Sequence, residues 1–139
     1  MDKITLVSYF VSEVSMKHLT GDKKKRNGKI NLNIGSNEEE VKIKLDVEVA
    51  DEYKEIKISI IGNFELLDSL NSQQKKELLV TAGAEMLYEY TKSYIASMTM
   101  FDKIPVMINL PDVDFEKLYK DNDKNKWFVK HRVNFGFKI

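Results

Sequence analysis

A chain of 139 residues has room for one domain with a real core, and its 22 Lys and Arg against 22 Asp and Glu give a formal net charge of zero. That balance supplies neither a basic field for nucleic acid nor an acidic field for basic partners. The absence of cysteine excludes disulfides, thiolate metal sites and cysteine nucleophiles together, and no run approaches the roughly 18 apolar residues of a membrane span.

The chain opens directly in a strand pattern, not in a basic stretch followed by an apolar run, so a soluble cytoplasmic protein is the expectation. From Ile4 to Met16 the pattern predicts a strand apolar on both faces, with Ile4, Leu6, Phe10, Val14 and Met16 on one side and Val7, Tyr9 and Val11 on the other. Two apolar faces ask to be covered twice, once by the core and once by something else. Lys17 to Gly28 is polar. Its Lys23 to Arg26 run reads as a solvated loop, because four basic residues are too few to specify a phosphate or an acidic partner.

A meander follows. Ile30, Leu32 and Ile34 alternate with Lys29, Asn31 and Asn33, a turn falls at Gly35 to Asn37, and Val41, Ile43, Leu45, Val47 and Val49 alternate with Lys42, Lys44, Asp46 and Glu48. After Asp51 and Glu52 a fourth strand turns Ile56, Ile58 and Ile60 inward and ends near Phe64. Strict alternation across short turns predicts antiparallel pairing with one wet face.

Asn71 with Gln74 forms a capping-box signature. Beyond it Leu79, Gly83, Met86, Tyr90, Tyr94 and Ser97 recur at helical spacing, widened by Leu78, Leu87, Ile95 and Met98. Carried to Met100, this predicts a helix of about 40 Å, too long for the domain to cover alone. Ala82, Gly83, Ala84, Ser93, Ala96 and Ser97 are small enough for another backbone to approach. The next stretch, Met98 to Pro111, is apolar, yet Pro105 and Pro111 forbid a continuous helix. Asp114 then caps a short helix with Phe115, Leu118 and Tyr119 on one side. Such a crossover either pins itself to the sheet as core or offers a grooved surface to extended apolar peptide.

The layout is α+β: a four-stranded antiparallel meander packed against one long helix, an apolar crossover loop and a short second helix. Residues 1–139 form one domain, with the sheet in 4–66, helices and crossover in 71–121, and a strand-like extension in 124–139. In that extension Trp127, Val129, His131, Val133, Phe135, Phe137 and Ile139 alternate with Phe128, Lys130, Arg132, Asn134, Gly136 and Lys138. It either adds a strand to the sheet edge or core, or lies in or beside the groove and competes with a bound segment.

Catalytic chemistry finds little support. His18 and His131 have no companions at ligand spacing, Asp112 and Asp114 are explained by a turn and a cap, and Glu38 to Glu40 by a solvated turn. The six glycines are scattered and form no phosphate loop. An enzyme is not expected, nor a cofactor, metal, nucleic acid or membrane partner.

Three segments resemble the SecB family of export chaperones and its SecB-like relatives. Glu13 to Lys17 ends the first strand in an acidic-apolar-Ser-apolar pattern, and Gly62-Asn-Phe64 closes the fourth in a Gly-x-Phe pattern. Met86 to Met98, through Ile104-Pro105 to Leu110-Pro-Asp-Val-Asp-Phe-Glu-Lys-Leu-Tyr119, is similar to the family's helix, crossover and second helix. The resemblance spans roughly residues 4–119 and implies an ATP-independent holdase for unfolded clients. It implies a homotetramer built as a dimer of dimers, with first strands paired across one interface and long helices across the other. Val7, Tyr9, Val11, Ala82, Gly83, Tyr90, Tyr94 and Ser97 are the interface candidates. Ile104, Val106, Met107, Ile108, Leu110, Phe115, Leu118 and Tyr119 are the candidates for binding client peptide.

The departures are specific. Lys17 and Lys57 stand where the family's acidic motor-docking residues would be, Asp114 replaces the Asn before Phe115, and the tail reads as a strand instead of a flexible end. Docking to the translocation motor is therefore not expected, and a specialised client, a preprotein or an antitoxin, fits better. The alternative from another class is an oligomeric scaffold or regulatory module for one folded partner.

Overall fold

A computed structural model describes residues 3–19, 27–36, 41–51, 53–101, 110–123 and 132–137. Four strands come first: β1 (Ile4–His18), β2 (Asn27–Ser36), β3 (Val41–Ala50) and β4 (Lys54–Leu66). Helix α1 (Ser72–Leu78) continues without a break through a π-helical turn (Leu79–Gly83) into α2 (Ala84–Met100), and α3 (Phe115–Asp123) and β5 (Arg132–Phe137) follow. All pairings are antiparallel and the sheet order is β1-β4-β3-β2-β5. The meander and both helices form as the sequence predicts. The tail backbone takes the sheet-edge course, with β5 paired to β2 from Gly28 opposite Phe137 to Asn33 opposite Arg132.

Alternation decides the inner face. Ile43, Leu45, Val47 and Val49 of β3 and Ile56, Ile58 and Ile60 of β4 are buried, while Lys42, Lys44, Glu48 and Lys57 point outward. The β3–β4 hairpin is closed by Asp51, whose carboxylate accepts the N–H groups of Tyr53 and Lys54 at 2.8 Å each. Asp51 and Lys54 are both buried.

In β1 the expected faces hold for Ile4, Leu6, Val14 and Met16 and fail between the bulges, at Tyr9, Phe10 and Val11. Two β-bulges, between Leu6 and Ser8 and between Val11 and Glu13, each insert one residue and shift the alternation. Tyr9 now lies opposite Gly62, Val11 opposite Ile60, Val14 opposite Ile58 and Met16 opposite Ile56, so all four share the inner face with Ile4 and Leu6. Phe10, opposite Ile61, falls on the outer face, and both it and Val7 are exposed. A period-2 reading carries no information about an inserted residue, and for that reason it placed Phe10 with Ile4.

The long helix starts as the capping box requires: Asn71 Oδ1 accepts from the Gln74 N–H at 2.8 Å, and Gln74 Oε1 accepts from the Asn71 N–H at 2.9 Å. Segments of 7, 5 and 17 residues rising about 1.5 Å each give roughly 43 Å. In the π turn Thr81 Oγ1 donates to the Glu77 carbonyl at 2.7 Å. Two glycines let this helix sit close on the sheet. A Cβ at Gly62 would stand 2.7 Å from Leu87 Cδ2, and one at Gly83 would stand 2.8 Å from Ile43 Cδ1. Leu87, Tyr88, Thr91, Ile95 and Thr99 continue the buried stripe along α2.

Candidate functional site

The second half of the chain is latched to α2 where it re-enters after the crossover. Tyr88 is buried, and its hydroxyl donates to the Pro111 carbonyl at 2.7 Å. Phe115 meets the Tyr88 ring edge-on with centroids 5.5 Å apart. One turn further along α2, Lys92 Nζ reaches Asp112 Oδ1 and Glu89 Oε1, both at 2.9 Å. The hydrogen bonds to Asp112 and Glu89 hold the Lys92 ammonium above its ordinary pKa, and the bond from Lys92 holds Asp112 below the usual carboxylate value. Burial above all, helped by the charges of Asp112 and Glu89, pushes the Tyr88 phenol well above its usual range. Asp114 caps α3 by accepting the Lys117 N–H at 3.0 Å, and Gln73 Nε2 donates to the Tyr119 hydroxyl at 2.8 Å.

These contacts locate the residues expected to bind peptide. Leu110, Phe115 and Tyr119 belong to the buried core, and Leu118 is half-buried. The chain covers the first three itself, with Phe115 against Tyr88 and the Tyr119 hydroxyl bonded by Gln73. Ile104, Val106, Met107 and Ile108 lie outside the described residues.

Apolar surface is open elsewhere. Helix α2 advances along β1: Gly83 approaches Ile4, Leu87 approaches Gly62 beside Leu6, and Tyr90 stacks on Tyr9 with centroids 4.2 Å apart. Further in the same direction β1 carries Val14 at 49% and Met16 at 37% exposure on the inner face, and α2 ends at Met100 and Phe101, 56% and 90% exposed. Phe101 is the last described residue before the crossover. An aromatic so open is costly unless something covers it. Alternation already put Val14 and Met16 on the inner face; what it does not carry is that the face is left partly open there, although the run Met98 to Phe101 was a usable signal.

The interface candidates separate in the same way. Val7, Tyr90 and Tyr94 are exposed at 56%, 40% and 40%, Ser97 is exposed, and Tyr9, Val11 and Ala82 are half-buried. Gly83 must be withdrawn: it is buried and its missing Cβ makes room for Ile43, so its smallness serves the chain's own sheet. Ala84 is likewise fully buried. Partial burial, then the neighbouring Tyr94 and Tyr90 phenols, raise the pKa of Tyr9.

Among the described residues, clefts flank the long helix on two sides. One of about 320 Å³ has an apolar floor of Ile34, Val41, Leu66 and Leu79, with Lys75 and Lys76 beside it. The other, about 450 Å³, includes Glu77, Glu85, Glu116 and Lys3. Among the described residues no group of three or more His, Asp or Glu side chains could hold a metal ion, and no helix is long and apolar enough to cross a membrane. His18 is exposed near the end of β1, opposite Lys54, and Asp112 and Asp114 have the latch and cap roles above. His131, Lys23 to Arg26 and Glu38 to Glu40 lie outside the described residues.

Comparison with solved structures places this architecture. It is similar to the Mycobacterium tuberculosis Rv1957 SecB-like chaperone, solved with a ChAD peptide from the Rv1956 HigA1 antitoxin, at a TM-score of 0.62 and 8% identity over 80% of this chain and 91% of that one. A weaker likeness, TM-score 0.47 at 12% identity over 78% and 97% of the two chains, is to a protein of unknown function from Streptococcus agalactiae. No curated protein sequence matches significantly. The family described as preprotein translocase subunit SecB matches residues 3–126, which takes in all four meander strands, the long helix, the crossover and α3. The chain therefore belongs to the SecB family.

Proposed function

We propose that this chain is an ATP-independent holdase that binds extended apolar segments of unfolded or partly folded proteins. Family membership supports a chaperone role. The observation that carries the finer reading is the open apolar group at the end of α2, above all Phe101 at 90% exposure where the crossover begins. Client side chains bury against Phe101, Met100, Val14 and Met16, and against Ile104, Val106, Met107, Ile108 and Leu118. Leu110, Phe115 and Tyr119 back that surface from within. Met and aromatic side chains suit varied clients because they repack around different partners.

The working assembly is an oligomer of identical chains, a dimer of dimers, joined through β1 at exposed Val7 and through the helix face carrying Tyr90, Tyr94, Ser97 and Ala82. Pairing an open edge strand also removes a template for aggregation. The client is specialised, a preprotein or an antitoxin. The Rv1957 structure makes an antitoxin segment the first candidate, since a chain of similar fold holds one there. Lys17 and Lys57, on the outer face, weigh against recognition by an export motor that reads acids. No catalytic step or cofactor belongs to this role.

A scaffold for one folded partner is the second reading, favoured by the burial of Leu110, Phe115 and Tyr119. Suppression of the aggregation of an unrelated unfolded protein, measured by light scattering without ATP, separates the two. A holdase suppresses it and loses at least several-fold potency on Phe101→Asp, while circular dichroism stays unchanged. Wild-type protein that leaves scattering unaltered at a molar excess would refute the holdase reading.

A further inference from the structure

We infer that the edge of β2 is a strand-accepting site and that β5 is its resident, exchangeable occupant, which an extended client segment replaces; this rests on the holdase reading above. The sheet β1-β4-β3-β2 is contiguous without β5. The family match ends at residue 126, before β5 begins at Arg132, so the shared domain is complete with β2 as its edge. An uncovered edge strand presents a row of unpaired N–H and C=O groups, and these pair with any extended chain regardless of its side chains. β5 takes that place over Gly28 to Asn33, whereas β2 runs from Asn27 to Ser36.

The register states what kind of segment fits. Ile30 and Leu32 are buried, and the positions opposite them belong to Phe135 and Val133. Phe137 stands opposite Gly28, which is the one residue without a Cβ among the β2 positions that β5 pairs with, Gly28 to Asn33. Arg132, Asn134 and Gly136 stand opposite Asn33, Asn31 and Lys29, the other face. A replacing segment is therefore antiparallel to β2, apolar at alternate positions, and aromatic at the position facing Gly28. Unfolded polypeptides with strand-like alternation supply such segments, and helix-patterned ones do not. The β2 edge thus selects by period, and β5 keeps it paired when no client is present.

The chain has no cysteine, so one engineered pair can lock the edge. The full-length double variant Asn31→Cys, Asn134→Cys joins residues that are opposite in the register. The probe is a fluorescein-labelled peptide of residues 127–139, read by anisotropy. The peptide is expected to bind the reduced variant and to bind the oxidised one at least tenfold more weakly. It should bind the full-length Phe135→Asp protein more tightly than wild type, because the tethered competitor is weakened. Equal binding to both redox forms, no binding to the reduced form, or failure of the pair to oxidise would each overturn the inference; the first two results decide it even if Phe135→Asp does not fold. Aggregation suppression run alongside keeps the readings apart. Suppression that survives in the locked form leaves the holdase and refutes client entry at β2, whereas a wild-type protein with no suppression removes the holdase whatever the peptide does.

Discussion

Replacing Gly62 and Gly83 separately by alanine tests how closely the long helix is held to the sheet. In an unconstrained strand, Gly→Ala gains about 0.5–1 kcal/mol from the unfolded chain's lost freedom. At Gly62 the new methyl would meet three side chains together, Leu87 Cδ2 at 2.7 Å, Phe64 Cε2 at 3.0 Å and Leu6 Cδ1 at 3.2 Å. Leu87 and Phe64 are buried with no free side to move toward, and overpacking of that kind costs about 1–3 kcal/mol. The net expectation for Gly62→Ala is a loss of about 1–2 kcal/mol. At Gly83 the gain is about 0.8–1 kcal/mol, as for any helix interior. There only Ile43 Cδ1, at 2.8 Å, is too close, since Ile4 Cδ1 at 3.4 Å and Phe64 Cζ at 3.5 Å are ordinary contacts. A terminal methyl that yields by about 0.6 Å costs roughly what the backbone gains, so Gly83→Ala stays within about 0.5 kcal/mol of wild type. Urea unfolding at one fixed protein concentration reads both, because self-association would make stability concentration-dependent. With a slope of about 2 kcal/mol per molar, Gly62→Ala should lower the midpoint by roughly 0.5–1 M with an unchanged slope. A Gly62→Ala protein as stable as wild type, or a Gly83→Ala protein less stable than Gly62→Ala, would refute the close packing described here.

Tyr88→Phe removes the bond to the Pro111 carbonyl and should cost about 0.5–1.5 kcal/mol, measured by the same unfolding curves. The pH dependence has a definite sign. The Tyr88 phenol is raised by burial in the fold and titrates near its ordinary 10.0 when unfolded, so the unfolded chain loses its proton first and stability falls as pH climbs past about 10. Wild type should show that alkaline loss and Tyr88→Phe should show less of it; identical curves above pH 10 would count against the buried phenol. Asn71→Ala removes the side-chain arm of the capping box, the Asn71 Oδ1 that accepts the Gln74 N–H, and should cost about 0.5–2 kcal/mol, with amide exchange accelerating first in α1. At the open apolar group, Phe101→Asp should weaken aggregation suppression while leaving the unfolding free energy within about 0.5 kcal/mol of wild type, as expected for an exposed position.

Much of the fold was legible because the signals are local. Lys42 and Lys44 between Val41, Ile43 and Leu45 announce a half-buried strand; Asn71 with Gln74 and Asp114 before Phe115 announce helix starts. Each needs only neighbours a few residues away. The order of those elements also carried the family, since SecB is defined along the chain. The site was less legible. Phe115 and Tyr119 looked like groove because an apolar helix face reads the same whether it meets a guest or the chain's own Tyr88 and Gln73. Gly83 looked like a partner surface because smallness does not say which backbone comes near.

The periodicities alone determined an antiparallel meander, a long capped helix and a short second one, since backbone hydrogen bonding and burial leave an alternating or 3.6-period segment few other outcomes. Three things were left to the tertiary structure. The two bulges chose the faces of the β1 side chains between them, turning Tyr9 and Val11 inward and Phe10 outward. The meeting of Gly62 with Leu87 and of Gly83 with Ile43 set how near the helix lies. The latch of Tyr88 and Lys92 onto Pro111 and Asp112 decided that Phe115 is core while Phe101 is surface. All three depend on residues distant along the chain competing for one space, and no local pattern records which of them occupies it.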